Sequence, residues 1–203
     1  MKVLVVSAHP SNESFVGTLR TAVLEELTHM NHEIRHHDLY AEAFNPVFSA
    51  YERLNHVGDV ELKLQNLPDL RVHVQDIQWA EALVLVYPTW WSGQPAIMKG
   101  WIDRVLMNEV AWVLPEGTAR IRPLLTNIRK VVVVTTHGST KFVNSLEGEV
   151  GKRIAFRSIR LMFNKRTRCH WIGLYALDHI PHDKRGKLVT NVRRRIRRAL
   201  PSA

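Results

Sequence analysis

The 203-residue chain has a single cysteine, Cys169. An internal disulfide is therefore excluded, and a reducing compartment is the expectation. No apolar run approaches the ~20 residues of a membrane-spanning helix. The hydrophobic opening Val3 to Val6 closes at once on Ser7-Ala8-His9-Pro10, which argues against a signal peptide as well. A cytoplasmic address follows by default. Glycine-rich phosphate loops are also missing: no G-x-G-x-x-G follows the first apolar segment, and no G-x-x-x-x-G-K-[ST] occurs anywhere. Dinucleotide folds of the Rossmann type and P-loop nucleotide hydrolases are thereby set aside. Repeats, low-complexity stretches and linkers are absent too, so one domain over residues 1–203 is expected. The 45% of hydrophobic residues suffices for its core.

Acidic residues are outnumbered, 19 against 28 basic ones, for a net charge of +9. Much of the excess sits in Arg193-Arg194-Arg195-Ile196-Arg197-Arg198. Leu188, Val192, Ile196 and Leu200 recur every four residues, so the simplest reading is the solvated face of a terminal helix. Attraction of an anionic small molecule such as a dinucleotide is a second reading. Nucleic acid or anionic lipid is a third, although no recognition motif or aromatic interleaving accompanies the arginines.

What is present is an alternation. Apolar strand patterns occur at Lys2 to Ser7, Glu33 to Leu39 (an edge strand), Ala82 to Tyr87, Lys130 to Thr136 and within His170 to Leu177. Between them lie helical patterns from about Ser14 through Leu27, in pieces over 49–80, over about Gln94 to Met107, within Ser145 to Phe163 and over Asp183 to Leu200. Residues 40–48 and 114–129 read as loops. Five strands separated by helices predict an α/β, doubly wound, five-stranded parallel sheet with helices on both faces.

The richest segment is Val84-Leu-Val-Tyr-Pro-Thr-Trp-Trp-Ser-Gly-Gln-Pro-Ala-Ile-Met-Lys-Gly-Trp-Ile-Asp-Arg104. A buried strand ends at Pro88, and Pro95 suits the first turn of the next helix, so Thr89 to Gln94 form a loop at the carboxyl end of a strand. Two adjacent tryptophans in such a loop need a cover, and a flat apolar cofactor supplies one. The alternative is that Trp90 and Trp91 fill the core. Trp101 reads as core or as a contact between copies, and Asp103 with Arg104 as a solvated or interhelical pair, with support of the ring-binding loop as the alternative. The loop Ser7-Ala-His-Pro-Ser-Asn-Glu-Ser-Phe15 places His9, Ser11, Asn12 and Ser14 before a helix amino terminus, where an anion is favoured without glycine. His9 could instead cap that helix or bond a loop carbonyl. Cys169 reads as a small apolar strand residue. Among the eleven histidines, His32 with His36 and His179 with His182 have ligand-like spacing but no carboxylate partner on a confident helix, and no metal site is expected.

Taken in order, Ala8-His9-Pro10, Ser14-Phe15, the Tyr87 to Arg104 run and Thr135-Thr136-His137-Gly138 resemble the flavodoxin-like NAD(P)H:quinone oxidoreductases. That family includes the DT-diaphorases, the modulators of drug activity B and the ancillary oxidoreductases of potassium efflux systems. The resemblance spans nearly the whole chain and implies a flavodoxin-like sheet with FMN or FAD at the ends of the first, third and fourth strands. FMN is slightly favoured. It implies NAD(P)H as electron donor, a quinone or other electron-poor small molecule as acceptor, and a homodimer. By position, His9, Ser14, Phe15 and Val16 match the segment that holds the flavin phosphate. Thr89, Trp90, Trp91 and Ser92 match the loop under the ring, and Thr136, His137, Gly138 and Ser139 the loop near its pyrimidine edge. His137 stands where many relatives have a second glycine, and it either lends positive charge to the reduced ring as a catalytic group or crowds it. The tyrosine and histidine that the diaphorases carry beyond that loop are replaced here, the nearest positions being Val143 or Asn144 and Val150. A regulatory flavoprotein that docks on a transporter is the rival reading.

Overall fold

A computed structural model describes residues 1–202. In chain order the first elements are β1 (Lys2–Ser7), α1 (Phe15–His29), β2 (Glu33–Asp38), α2 (Ala50–Leu54), α3 (Val60–Asn66) and α4 (Arg71–Trp79). Then come β3 (Ala82–Pro88), α5 (Ala96–Val105), β4 (Trp112–Val113), β5 (Arg122–Pro123) and β6 (Lys130–Thr136). The chain closes with α6 (Lys141–Leu146), α7 (Val150–Arg153), β7 (Arg168–Leu174) and α8 (Arg185–Ala199). The main sheet is parallel throughout, in the order β2-β1-β3-β6-β7. β4, just before the expected 114–129 loop region, and β5, within it, form a separate short antiparallel pair. The described residues thus have the expected flavodoxin-like α/β architecture.

β3 is buried along its whole length and β6 over five of its seven residues, as the central strands of a sheet covered on both faces must be. Alternation then sorts the side chains. Val3, Val5, Val84, Val86, Val132 and Val134 face α1 and α8, whereas Leu4, Val6, Leu83, Leu85, Val131 and Val133 face the layer containing α4 and α5. On α1, Leu19, Val23 and Leu27 supply the apolar stripe. On α8, Val192 and Ile196 do the same, with Leu200 at its carboxyl cap, as their spacing predicts. Fully burying one such side chain is worth about 1.5–3 kcal/mol.

Some local expectations need correction. The helix placed within Ser145 to Phe163 is instead a series of short pieces: α6, a reversal at Gly148 and Glu149 (φ 86° and 48°), α7, then single π- and 3₁₀-type turns to Met162. A residue such as Glu149 in the left-handed region cannot continue a right-handed helix. Asp103 and Arg104 are not a pair. Asp103 bonds Lys99 one turn back, at 2.6 and 2.7 Å. Arg104 is 3% exposed, with Nε on Glu52 Oε1 at 2.7 Å and Nη1 on Asp69 Oδ2 at 2.9 Å and on the Asn45 carbonyl at 2.7 Å. It ties α5 to α2 and the 45–69 region. Trp101 is fully buried, with its N–H donating to His73 Nδ1 at 3.3 Å. The basic run is only partly a solvated face, because Arg193 pairs with Glu25 and Glu26, and Arg197 with Glu26. Cys169 is half-buried on β7, and burial pushes its thiol up, as suits an inert strand residue.

Candidate active site

The chain runs outward from β1 to β2 and returns to start β3 on the other side of β1. The carboxyl ends of β1 and β3 therefore flank a crevice where two loops diverge. From β1, the chain enters the loop of residues 8–14 and then α1. Ser14 caps α1: its Oγ accepts from Gly17 N–H at 3.0 Å and donates to the Ser11 carbonyl at 2.8 Å. The Phe15 and Val16 N–H groups have no hydrogen-bond partner among the described residues, which leaves two donors and the positive helix end for an anion. Ser14 thus shapes the anion site while its hydroxyl is spent on the cap. Val16 is buried, so only its backbone can take part. Gly17 is required here, since a Cβ would lie 2.2 Å from the Asn12 carbonyl oxygen folded over the helix. His9 is set by the same loop. Its Nδ1 lies 3.0 Å from the Ser11 amide nitrogen and 2.9 Å from the Ser11 carbonyl oxygen, which fixes the ring against the loop.

The loop after β3 is a tight turn closed by Trp90 N–H to Gly93 O at 3.1 Å and Gly93 N–H to Trp90 O at 3.0 Å. Its central residues, Trp91 and Ser92, have φ of 47° and 60°. Two positive φ values mark the primed turn usually built from Asn-Gly, and here both positions carry side chains. The turn holds Trp91 entirely in solvent, at 103% relative exposure, with Trp90 at 43%. Core filler is thereby excluded for both. The turn is anchored on either side: Thr89 N–H donates to the Thr136 carbonyl at 2.8 Å, Gly151 N–H to Ser92 O at 3.2 Å, and Ser92 Oγ to Glu147 Oε2 at 2.6 Å.

An open cleft of about 550 Å³ lies between this turn and the end of β6, lined by Thr89, Trp91, Ser92, His137, Gly138, Ser139, Asn144 and Glu147. Six of these were legible as site residues, and Trp90 and Thr136 flank them in the chain. Asn144 and Glu147 were not legible. Asn144 Nδ2 donates to Ser139 Oγ at 2.6 Å and so fixes the wall of the cleft. Gly138 is pressed so closely by the Asp178 carboxylate that a Cβ would sit 2.4 Å from Oδ2. His137 is 6% exposed, stacks on Tyr175 at 4.5 Å and 14°, and has no partner for either ring nitrogen. Burial lowers its pKa, only partly offset by the nearby Asn144 side chain and the charges of Glu147 and Glu149, so the ring is neutral at pH 7.

An unsatisfied buried polar group costs roughly 1–3 kcal/mol and calls for a partner that the chain does not itself supply. Flavin fits these demands. Its ring offers a flat face to the exposed tryptophans and polar edges to the His137 loop, and its phosphate offers an anion to the Phe15 and Val16 N–H groups. His9, Ser14, Phe15 and Val16 lie on the neighbouring loop rather than in the cleft. Phe15 has the Arg185 guanidinium 5.5 Å from its ring centroid, and both border a second depression with His182 and Val189.

One cluster was not legible at all. His37, Glu42 and His73 converge from β2, the following loop and α4. His37 Nδ1 lies 2.9 Å from Glu42 and Nε2 2.9 Å from Asp76, and these contacts raise its pKa against the opposing effect of burial. His73 is lowered to about 4, by burial first and by His37 second. Because Trp101 N–H needs the Nδ1 lone pair of His73, the proton of that ring sits on Nε2, facing Glu42 at 3.7 Å. That tautomer suits a hydrogen-bonded network better than a metal ligand. The pairs His32 with His36 and His179 with His182 do not converge on an ion site among the described residues.

A family model described as flavodoxin-like fold matches residues 1–193. A ribosyldihydronicotinamide dehydrogenase-like protein of Penicillium crustosum is 33% identical over 155 residues, which are 68% of this chain and 58% of that protein. NAD(P)H dehydrogenase [quinone] 1 of Cavia porcellus is 26% identical over 215 residues, 96% of this chain and 76% of the relative. Among solved structures, Smu.1420 of Streptococcus mutans superposes with a TM-score of 0.84 at 27% identity, covering 98% of this chain and 100% of the other.

Proposed function

The chain belongs to the flavodoxin-like NAD(P)H:quinone oxidoreductase family, and from that premise we propose that it is a flavin-dependent NAD(P)H oxidoreductase acting on a quinone or similar electron-poor aromatic. The observation that carries this reading is the cleft itself. A primed turn presents Trp91 to solvent opposite a buried histidine with two unpartnered nitrogens, beside a helix end with free N–H groups. When bound, the flavin would supply the two-electron chemistry, taking a hydride from NAD(P)H and passing the pair of electrons to the acceptor. The chain's own residues position and exclude. The Phe15 and Val16 N–H groups with His9 would hold the phosphate, and the Thr89–Ser92 turn would support the ring. Thr136, His137, Gly138 and Ser139 would meet its polar edge. His137, neutral in the free protein, gains proton affinity when negative charge arrives beside it, so it is the group that would carry the compensating proton. FMN and FAD both satisfy this arrangement, since each places a phosphate at α1. FMN is our first choice.

One slot that serves donor and acceptor in turn predicts ping-pong kinetics, with parallel initial-rate plots; convergent plots overturn that step. A homodimer is part of the same reading, and the exposed Leu54, Val57 and Leu62 of the 54–62 segment are the surface it would cover. The decisive experiment is the visible spectrum of the purified protein after saturation with FMN or FAD and removal of unbound flavin, followed by anaerobic NADPH. A retained band bleached by NADPH supports the reading. Failure to retain either flavin overturns it.

A further inference from the structure

Lys130 and Arg168 begin β6 and β7 as directly paired residues. Strand alternation puts both, with His170 two positions on, on the face covered by α1 and α8. Like charges opposed across a strand pair repel, and neither side chain has a carboxylate partner among the described residues. Arg195 of α8 arrives at the same edge, its Nη2 donating to the Trp171 carbonyl at 2.6 Å. His170 precedes Trp171 in β7, and its Nε2 is shielded from water and has no partner among the described residues. Among the described residues, no nearby acid forms an ion pair with Lys130 or Arg168. Glu25 and Glu26 take Arg193 and Arg197, and Glu81, beside Arg129 and Lys130, accepts the Lys2 N–H at 2.9 Å.

We propose that this corner binds a phosphoryl anion, held by the ammonium of Lys130, the guanidinium fork of Arg168 and the ring N–H of His170, with Arg195 completing the positive rim. Three cations and a fork of parallel N–H donors suit a doubly charged, three-oxygen anion better than a carboxylate. The site is separate from the flavin cleft. Six residue-to-residue steps along β6 separate Lys130 from Thr136, or ~20 Å at 3.3 Å per step. Burial first, then the charges of Lys130, Arg168 and Arg195, hold His170 below the ordinary histidine range. An anion seated among them reverses the sign of the field, so binding takes up a proton and strengthens as the pH falls.

The test is a calorimetric titration of flavin-loaded protein with inorganic pyrophosphate at fixed ionic strength, the loading keeping the α1 terminus occupied. A parallel arm uses co-sedimentation with phosphatidylcholine vesicles, with and without phosphatidic acid. We expect K130Q/R168Q to weaken pyrophosphate binding at least about tenfold while leaving NADPH oxidation unchanged. Wild-type affinity should rise between about pH 7.5 and about pH 6, and H170Q should flatten that rise. Pyrophosphate capture assigns a soluble phosphoryl ligand, and capture by phosphatidic acid vesicles alone assigns a lipid headgroup. Silence in both arms, or equal binding by K130Q/R168Q, overturns the proposal. Should no flavin be retained, subtracting the K130Q/R168Q titration from wild type still isolates this corner. Loss of like-charge repulsion should leave the double variant at least as heat-stable as the wild type, and R168Q alone serves if it is not.

Discussion

Replacing Trp91-Ser92 by Asn-Gly tests whether the ring-binding turn stores strain for function. Holding a residue with a Cβ in the left-handed region costs roughly 1–2 kcal/mol, and the turn does so twice in succession. Glycine removes that cost at the second position and asparagine lessens it at the first. Against the gain stands the hydrogen bond from Ser92 Oγ to Glu147. On an exposed surface it contributes about 0.5–1 kcal/mol. Trp91 buries nothing, so its removal forfeits no packing. The balance is a stabilisation of about 1 kcal/mol, or a rise in Tm of about 2–4 °C for a chain of this size. W91N/S92G without flavin should therefore melt later than the wild type by circular dichroism. Loaded with flavin, it should reduce a quinone at least about tenfold more slowly, because the ring has lost its platform. A lower Tm would refute the strain argument. Unchanged turnover would refute the role of the tryptophan turn.

Further predictions concern the scaffold and the anion loop. Arg104→Met leaves Glu52 buried without its partner and should cost about 3–5 kcal/mol in urea unfolding, whereas pairing it with Glu52→Gln should recover part of the loss. Gly17→Ala drives a methyl into the Asn12 carbonyl, so flavin affinity by equilibrium dialysis should fall at least about tenfold, with little change in the sheet signal of the far-ultraviolet spectrum. His73, held near 4 by burial, binds a proton in the unfolded chain below about pH 6.5 but not in the folded one. Stability from this group is therefore complete above about pH 6.5 and drains as the pH falls toward 4, by about 3 kcal/mol in total. His37 works in the opposite sense, its raised pKa adding stability at low pH that fades as the pH climbs through the folded value. Urea midpoints from pH 7 to 5 should fall more steeply in wild type than in His73→Gln, and equal slopes would contradict the assignment.

The parts of the molecule written in local pattern were legible. β1 and β6 begin and end where their apolar runs do, and the helix read from about Ser14 starts at Phe15. The two loops that frame the cleft were readable because proline and paired tryptophans interrupt strong periodicity. What escaped depends on distant partners. Tyr175 stacks on His137 from across the β6–β7 pair, and Glu147 reaches Ser92 only because Gly148 and Glu149 break the helix behind it. The His37, Glu42 and His73 cluster is assembled from three elements, and no spacing along the chain could reveal it. Arg104 was misjudged for the same reason, its partners lying 35 to 59 residues away.

Trp91, wholly open to water, and Trp101, wholly sealed, are the two extremes among the six tryptophans that a collisional quencher will separate. Iodide should strip emission from the former and leave the latter. A flat guest lying over the turn would shield Trp91, so loss of iodide access becomes a direct gauge of occupancy, readable with no electron donor, no acceptor and no assumption about which reaction follows.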